Sequence, residues 1–127
     1  MRLYDVAVAA VALRVDRKWL DNVLSQHDVP GVGRSVQGVA RQIPLRSLVI
    51  ISVVRDLQQL IGLGVGRGLE VAGRLVGPAH GHARLGVAVM TVDVAAVEQD
   101  LDHRLVDAME VVIPRRRGRP VGQKRRA

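Results

Sequence analysis

LRVDRKWLDNVLSQ, residues 13–26, holds the only tryptophan of the chain directly behind an Arg-Lys pair, and its reading decides the fold. Asp16 is a residue type that caps helix N-termini, and Leu20, Val23, Leu24 and His27 follow it at helical spacing. At about 100° per residue, Lys18, Asp21, Asn22 and Ser25 fall on the opposite, polar face, with Arg17 and Trp19 at the two borders. The stretch before it has the same design. Asp5 is placed to cap a helix in which Val6, Ala9, Ala10 and Leu13 form one apolar stripe. Two short helices joined by a tight turn at Arg14-Val15 are therefore expected. The ring of Trp19 is expected to pack against a following wing or the helix after it and to fix the polar face, leaving contacts with another molecule to its neighbours.

Working outward, VPGVGRSVQGVARQIPL places Gly31, Gly33 and Gly38 between short β-prone pieces and ends in the alternation Val39, Arg41, Ile43. This predicts a small hairpin or wing. Pro44 suits the first turn of a longer helix over about 45–61 that is apolar on more than one side. Such a helix is buried from several directions or shared with a partner. GLGVGRG interrupts it, and a short helix over about 67–76 follows. GPAHGHA reads as a linker and RLGVAVMTV as a strand. Asp93 then caps a helix over about 94–112, with Val94, Val97, Leu101, Leu105, Ala108 and Val112 on its apolar side and Asp100, Asp102, Asp107 and Glu110 on the others.

Charge divides the 127 residues into three parts. Residues 1–76 carry ten bases and six acids, residues 77–113 two bases and six acids, and residues 114–127 seven bases and no acid. The net +7 is thus carried by the C-terminal segment, PRRRGRPVGQKRRA, which has no core-forming content and is expected to be disordered. A basic tail favours a polyanionic partner. With Phe and Cys absent, the core must be aliphatic and neither disulfides nor thiolate metal sites are available. The longest apolar run, Leu48–Ile51 and then Val53-Val54, is far below the ~20 residues of a membrane span. No secretory signal is visible, so a cytoplasmic protein is expected, nucleoid-associated when bound to DNA.

The two helices and their turn have the layout of a helix-turn-helix, whose second helix enters the major groove. Residues 3–76 resemble the MerR-type winged-helix family of bacterial transcription regulators. The resemblance rests on YDVAVAAVALRVDRKWL, GVARQIPLRSL and VVRDLQQLIGLGV, which match that family's first two helices, wing end and following helices. It implies a winged helix-turn-helix that binds DNA. Lys18 stands at a basic DNA-contacting position, Leu20 at a core leucine, Asn22 at a backbone-contacting position, and Arg41 at the wing arginine. Arg14 departs from the family's preference for glycine in the turn, and a non-glycine residue held left-handed there costs about 1–2 kcal/mol. Apart from Trp19, the aromatic residues usual in the wing and second helix are missing, as are the cysteines of metal-sensing members. RRRGRP, Arg115, Arg116, Arg117, Gly118, Arg119 and Pro120, resembles the AT-hook, in which arginines beside an extended glycine enter a narrow A·T minor groove. A nonspecific cationic arm is the other reading of the same residues. Lys124, Arg125 and Arg126 would add phosphate contacts.

No catalytic constellation stands out. His80 and His82 lack a carboxylate spacing that completes a metal set, and GLGVGRG has neither the dinucleotide fingerprint nor a Gly-Lys-Ser/Thr ending. The chain is read as no enzyme, without cofactor or metal. The expectation is a mainly α fold with a small β wing. It comprises a winged helix-turn-helix domain (1–76), an acidic strand-helix segment for dimerisation or partner binding (77–113) and a basic tail (114–127). Its partner is double-stranded DNA. Arg17, Lys18, Asn22 and Ser25 would face the groove, Arg34 and Arg41 would reach phosphates from the wing, and the tail would lie on the minor groove or backbone. A homodimer on two half-sites is expected, joined through the apolar face of 94–112 or the helix of 45–61. A second reading makes the chain an antitoxin-like or adaptor protein that binds a basic protein partner through 93–112 and uses DNA for autoregulation. A third is RNA binding through the tail alone.

Overall fold

The computed structural model describes residues 2–33, 40–77 and 80–112. Its elements in chain order are β1 (Leu3–Tyr4), α1 (Val6–Leu13), α2 (Arg17–Gln26), β2 (Ile43–Pro44), α3 (Leu45–Ile61), α4 (Val65–Val76), β3 (His82–Leu85), β4 (Ala88–Thr91) and α5 (Val94–Val111). The fold is mainly helical, with two small antiparallel sheets. Among the described residues no helix is long and apolar enough to cross a membrane.

Three helices start on an aspartate, as their sequences require. Asp5 accepts a hydrogen bond from the Val8 N–H at 2.9 Å, Asp16 from Lys18 at 3.0 Å and Asp93 from Ala96 at 3.0 Å. The turn after α1 closes on Arg14, which lies in the left-handed region at φ 59°, ψ 44°. The Arg14 N–H donates to Val11 O and the Val15 N–H to Ala10 O, the paired bonds of a Schellman C-cap. Glycine is the residue this geometry favours, because a Cβ crowds the following carbonyl. Arg14→Gly is accordingly expected to raise unfolding stability by about 1 kcal/mol in a urea titration. A loss of stability would mean that the arginine side chain compensates for its backbone strain.

α3 is the hub. Leu48, Val49, Ile50, Ile51, Val53, Val54 and Leu57 are all buried, because α1, α4, α5 and β2 surround it. This is why its sequence is apolar on more than one side: its neighbours are all within the chain. α4 approaches it closely at Gly68, where an added Cβ would sit 3.2 Å from Val54 Cγ1. α4 begins at Val65, slightly earlier than the glycine-rich sequence suggests.

α1 is built almost wholly of Val and Ala, and it lies along α5. Ala9, Ala10 and Ala12 of α1 and Leu101, Leu105 and Ala108 of α5 are all buried in the same cluster as the α3 core. Most of the α3 apolar surface and Leu101, Leu105 and Ala108, the middle of the expected α5 stripe, are therefore covered within the same chain, while Val94, Val97 and Val112 at the ends of that stripe are half-buried. α5 leaves outward both acidic and apolar side chains: Glu98, Asp100, Asp107 and Glu110 are exposed, as are Val106, Met109 and Val111.

Two β expectations also change. RLGVAVMTV is two strands with a turn between them: β3 pairs with β4 in the register Leu85↔Ala88 to His82↔Thr91, turning at Gly86-Val87. Gly86 at φ 64° supplies the positive φ that a two-residue hairpin needs. In the segment expected to form a wing, β2 pairs with β1, Leu3↔Pro44 and Tyr4↔Ile43, so its partner among the described residues comes from the N-terminus. Part of the glycine-rich stretch, residues 34–39, lies outside the described residues. The stretch read as a linker is anchored at Gly81, whose N–H donates to Leu75 O at 2.7 Å and whose carbonyl accepts from Val92 at 2.8 Å.

Candidate nucleic-acid interface

α2 presents its polar face because its other face is held firmly. Leu20 is fully buried and Val23 and Leu24 nearly so, which fixes the rotation of the helix about its axis. Arg17, Lys18, Asn22 and Ser25 are then all exposed on the outside, as the helical spacing predicts. The four residues are not equally available. Arg17 Nε lies 3.9 Å from the Asp21 carboxylate, an exposed i,i+4 contact of little energetic weight that a phosphate could displace. The Ser25 hydroxyl donates to the Asp21 carbonyl at 2.8 Å, so its hydrogen is committed within the helix. Ser25 is left as an acceptor, which suits it poorly to an anionic backbone. Lys18 and Asn22 make no side-chain hydrogen bond or ion pair among the described residues.

Trp19 is half-buried at the edge of this face, and the guanidinium carbon of Arg55, on α3, lies 4.9 Å from its ring centroid. That is a cation–π contact within the usual limit of about 6 Å. Arg55 Nη1 also donates to Gln58 Oε1 at 3.1 Å. The tryptophan thus packs toward the following long helix, one of the two expected places, and it carries an additional cation to the border of the polar face. Arg55 escapes a reading of the sequence because nothing in α3, taken alone, distinguishes it from any other charge on a helix margin.

Arg41 is half-buried and shares an open groove with Ser25, His27 and Asp28 at the end of α2. The structure therefore brings Arg41 to the same end of α2 as Ser25. The loop between them is tied down by Ser47 of α3, buried, whose hydroxyl donates to Pro30 O at 2.6 Å. Gly31 follows at φ 86°, and an added Cβ would come within 2.5 Å of Ser47 Oγ. This is a position that only glycine fits without displacing that hydrogen bond.

Electrostatically the face is mixed. Arg17, Lys18 and the nearby Arg55 are set among Asp16, Asp21 and Asp28, so it offers donors in a defined arrangement and little net charge. Arg34 and the tail residues Arg115, Arg116, Arg117, Gly118, Arg119, Pro120, Lys124, Arg125 and Arg126 lie outside the described residues. No protein-family model, curated protein or solved structure matches the chain.

Proposed function

We propose that the chain is a sequence-specific DNA-binding transcriptional regulator, in which α2 enters the major groove and the basic tail engages the minor groove or phosphates. The observation that carries this reading is the α1–turn–α2 unit. It is capped at both starts, closed by a left-handed residue at Arg14, and rotated so that Lys18 and Asn22 point outward while Leu20, Val23 and Leu24 are buried. Lys18 and Asn22 are the residue types that hydrogen-bond guanine and adenine edges. Arg17, Arg41 and Arg55 are placed to meet phosphates on either side, positioning contacts that carry no sequence information themselves.

Each base contact is worth about 1–3 kcal/mol, so Lys18→Ala or Asn22→Ala should weaken binding to a selected duplex by about 5- to 150-fold. Binding to a scrambled duplex should change by less than about three-fold in the same titration, because the tail supplies that component without reading bases. Equal losses on both duplexes would reduce α2 to a nonspecific surface. A lone module of this kind reads few base pairs, so the proposal includes a homodimer on two half-sites. The exposed apolar side chains open to such a contact include Leu60 and Ile61 at the end of α3, Val87 and Val89 on the β3–β4 hairpin, and Val106, Met109 and Val111 on α5.

A second reading draws on the outward carboxylates of α5, Glu98, Asp100, Asp107 and Glu110. In it the chain is an antitoxin-like or adaptor protein that holds a basic protein partner there and binds DNA for autoregulation. Retention of a stoichiometric protein partner by the full chain, lost when these four are changed to Gln or Asn, would support it over the first reading.

A further inference from the structure

Between the loop leaving α2, the first turns of α3 and the end of α4 lies a cavity of about 360 Å³. Pro30, Pro44, Ile50 and Val76 wall it with hydrocarbon, and Arg46 and Ser47 bring side-chain polar groups to it. Its size falls within the ~300–1,000 Å³ of small-molecule sites, and an aliphatic lining with few polar groups is their usual composition.

The two polar side chains differ in what they can offer. Ser47 directs its hydrogen to Pro30 O, and so holds the wall together. Arg46 Nη2 donates to Val76 O at 2.8 Å, which engages one of the five N–H donors of a guanidinium. Arg46 forms no ion pair among the described residues. Capping the end of α4 accounts for that one donor and leaves the others without an acceptor among the described residues. A cation on the rim of an aliphatic cavity selects a ligand whose two halves match it: a carboxylate for the guanidinium and a hydrocarbon body for the walls.

We propose that this cavity binds a small amphipathic monocarboxylate, with its carboxylate on the unengaged edge of Arg46 and its hydrocarbon against Ile50, Val76, Pro30 and Pro44. The site is separate from the polar face of α2, and it holds whether or not the chain reads DNA.

Gly73 allows the cavity to be closed without disturbing the fold. It lines the cavity from α4, and an added Cβ there meets nothing within 4 Å. Leucine also favours the helix over glycine at such a position. The test is calorimetric titration of the full chain with octanoate and with its uncharged analogue octanamide, alongside thermal unfolding of each variant. Octanoate is expected to bind saturably at one site, about ten-fold or more tighter than octanamide. In Arg46→Gln, which keeps a donor for Val76 O, that preference should shrink to within about three-fold. In Gly73→Leu both ligands should weaken by about ten-fold or more while the unfolding temperature is maintained. Absence of saturable octanoate binding, equal affinity for the two ligands in the unaltered chain, or unchanged affinity in Gly73→Leu would each overturn the proposal.

Discussion

Removing residues 114–127 is expected to abolish most of the affinity for duplex DNA and much of its salt dependence. The reason lies in where the charge sits. Around α2 the cations Arg17, Lys18 and Arg55 are set among Asp16, Asp21 and Asp28, whereas residues 114–127 carry seven bases and no acid. Counterion release scales with the number of phosphates neutralised, so the tail dominates the electrostatic part of binding. The full chain should lose about 10³- to 10⁵-fold in affinity between about 50 and 200 mM salt, and a chain ending at Ile113 should show a distinctly shallower slope, set by the phosphate contacts that remain. Fluorescence anisotropy of a labelled duplex across a salt series measures both slopes. Parallel slopes would show that the tail does not touch the nucleic acid.

The second large effect concerns α5. Leu105 is fully buried on α5, which packs against both α1 and α3. Leu105→Ala should therefore cost about 2–5 kcal/mol, the transfer of the lost methyl groups plus an unfilled cavity. In calorimetry this corresponds to a fall of roughly 10 °C in a single transition. The result distinguishes an integral α5 from an appended arm. If residues 1–76 were stable by themselves, the scan would show two transitions and the substitution would move only one.

Short-range features were the most legible in the sequence. The aspartate caps of α1, α2 and α5, the helical stripe of Leu20, Val23 and Leu24, and the left-handed Arg14 all depend on residues within a turn of one another. The polar face of α2 followed from the same periodicity. Features set by distant partners were not legible. An apolar stripe such as Leu101, Leu105 and Ala108 states that something must cover it, but a helix of the same chain and a second chain satisfy it equally. The poverty of side chains in α1 is intelligible only once α5 is seen beside it. The pairing of β2 with β1 was missed for the same reason, since Ile43 alternates with its neighbours whichever strand it joins. Within RLGVAVMTV, Leu85-Gly86-Val87-Ala88 carries a turn signal in its glycine, and a reading that weighed Gly86 above the run of valines would have found the hairpin. Arg55 became a candidate only through its position over Trp19.

The central claim is that α2 reads DNA sequence. Selection of bound duplexes from a random pool at low salt tests it most directly, run with the full chain, with a chain ending at Ile113, and with Lys18→Ala/Asn22→Ala. The account predicts one motif of two symmetric half-sites, recovered with both chain lengths and lost in the double variant. No enriched motif with either length, or A·T-rich enrichment that requires the tail and is unaffected by the double variant, would contradict it.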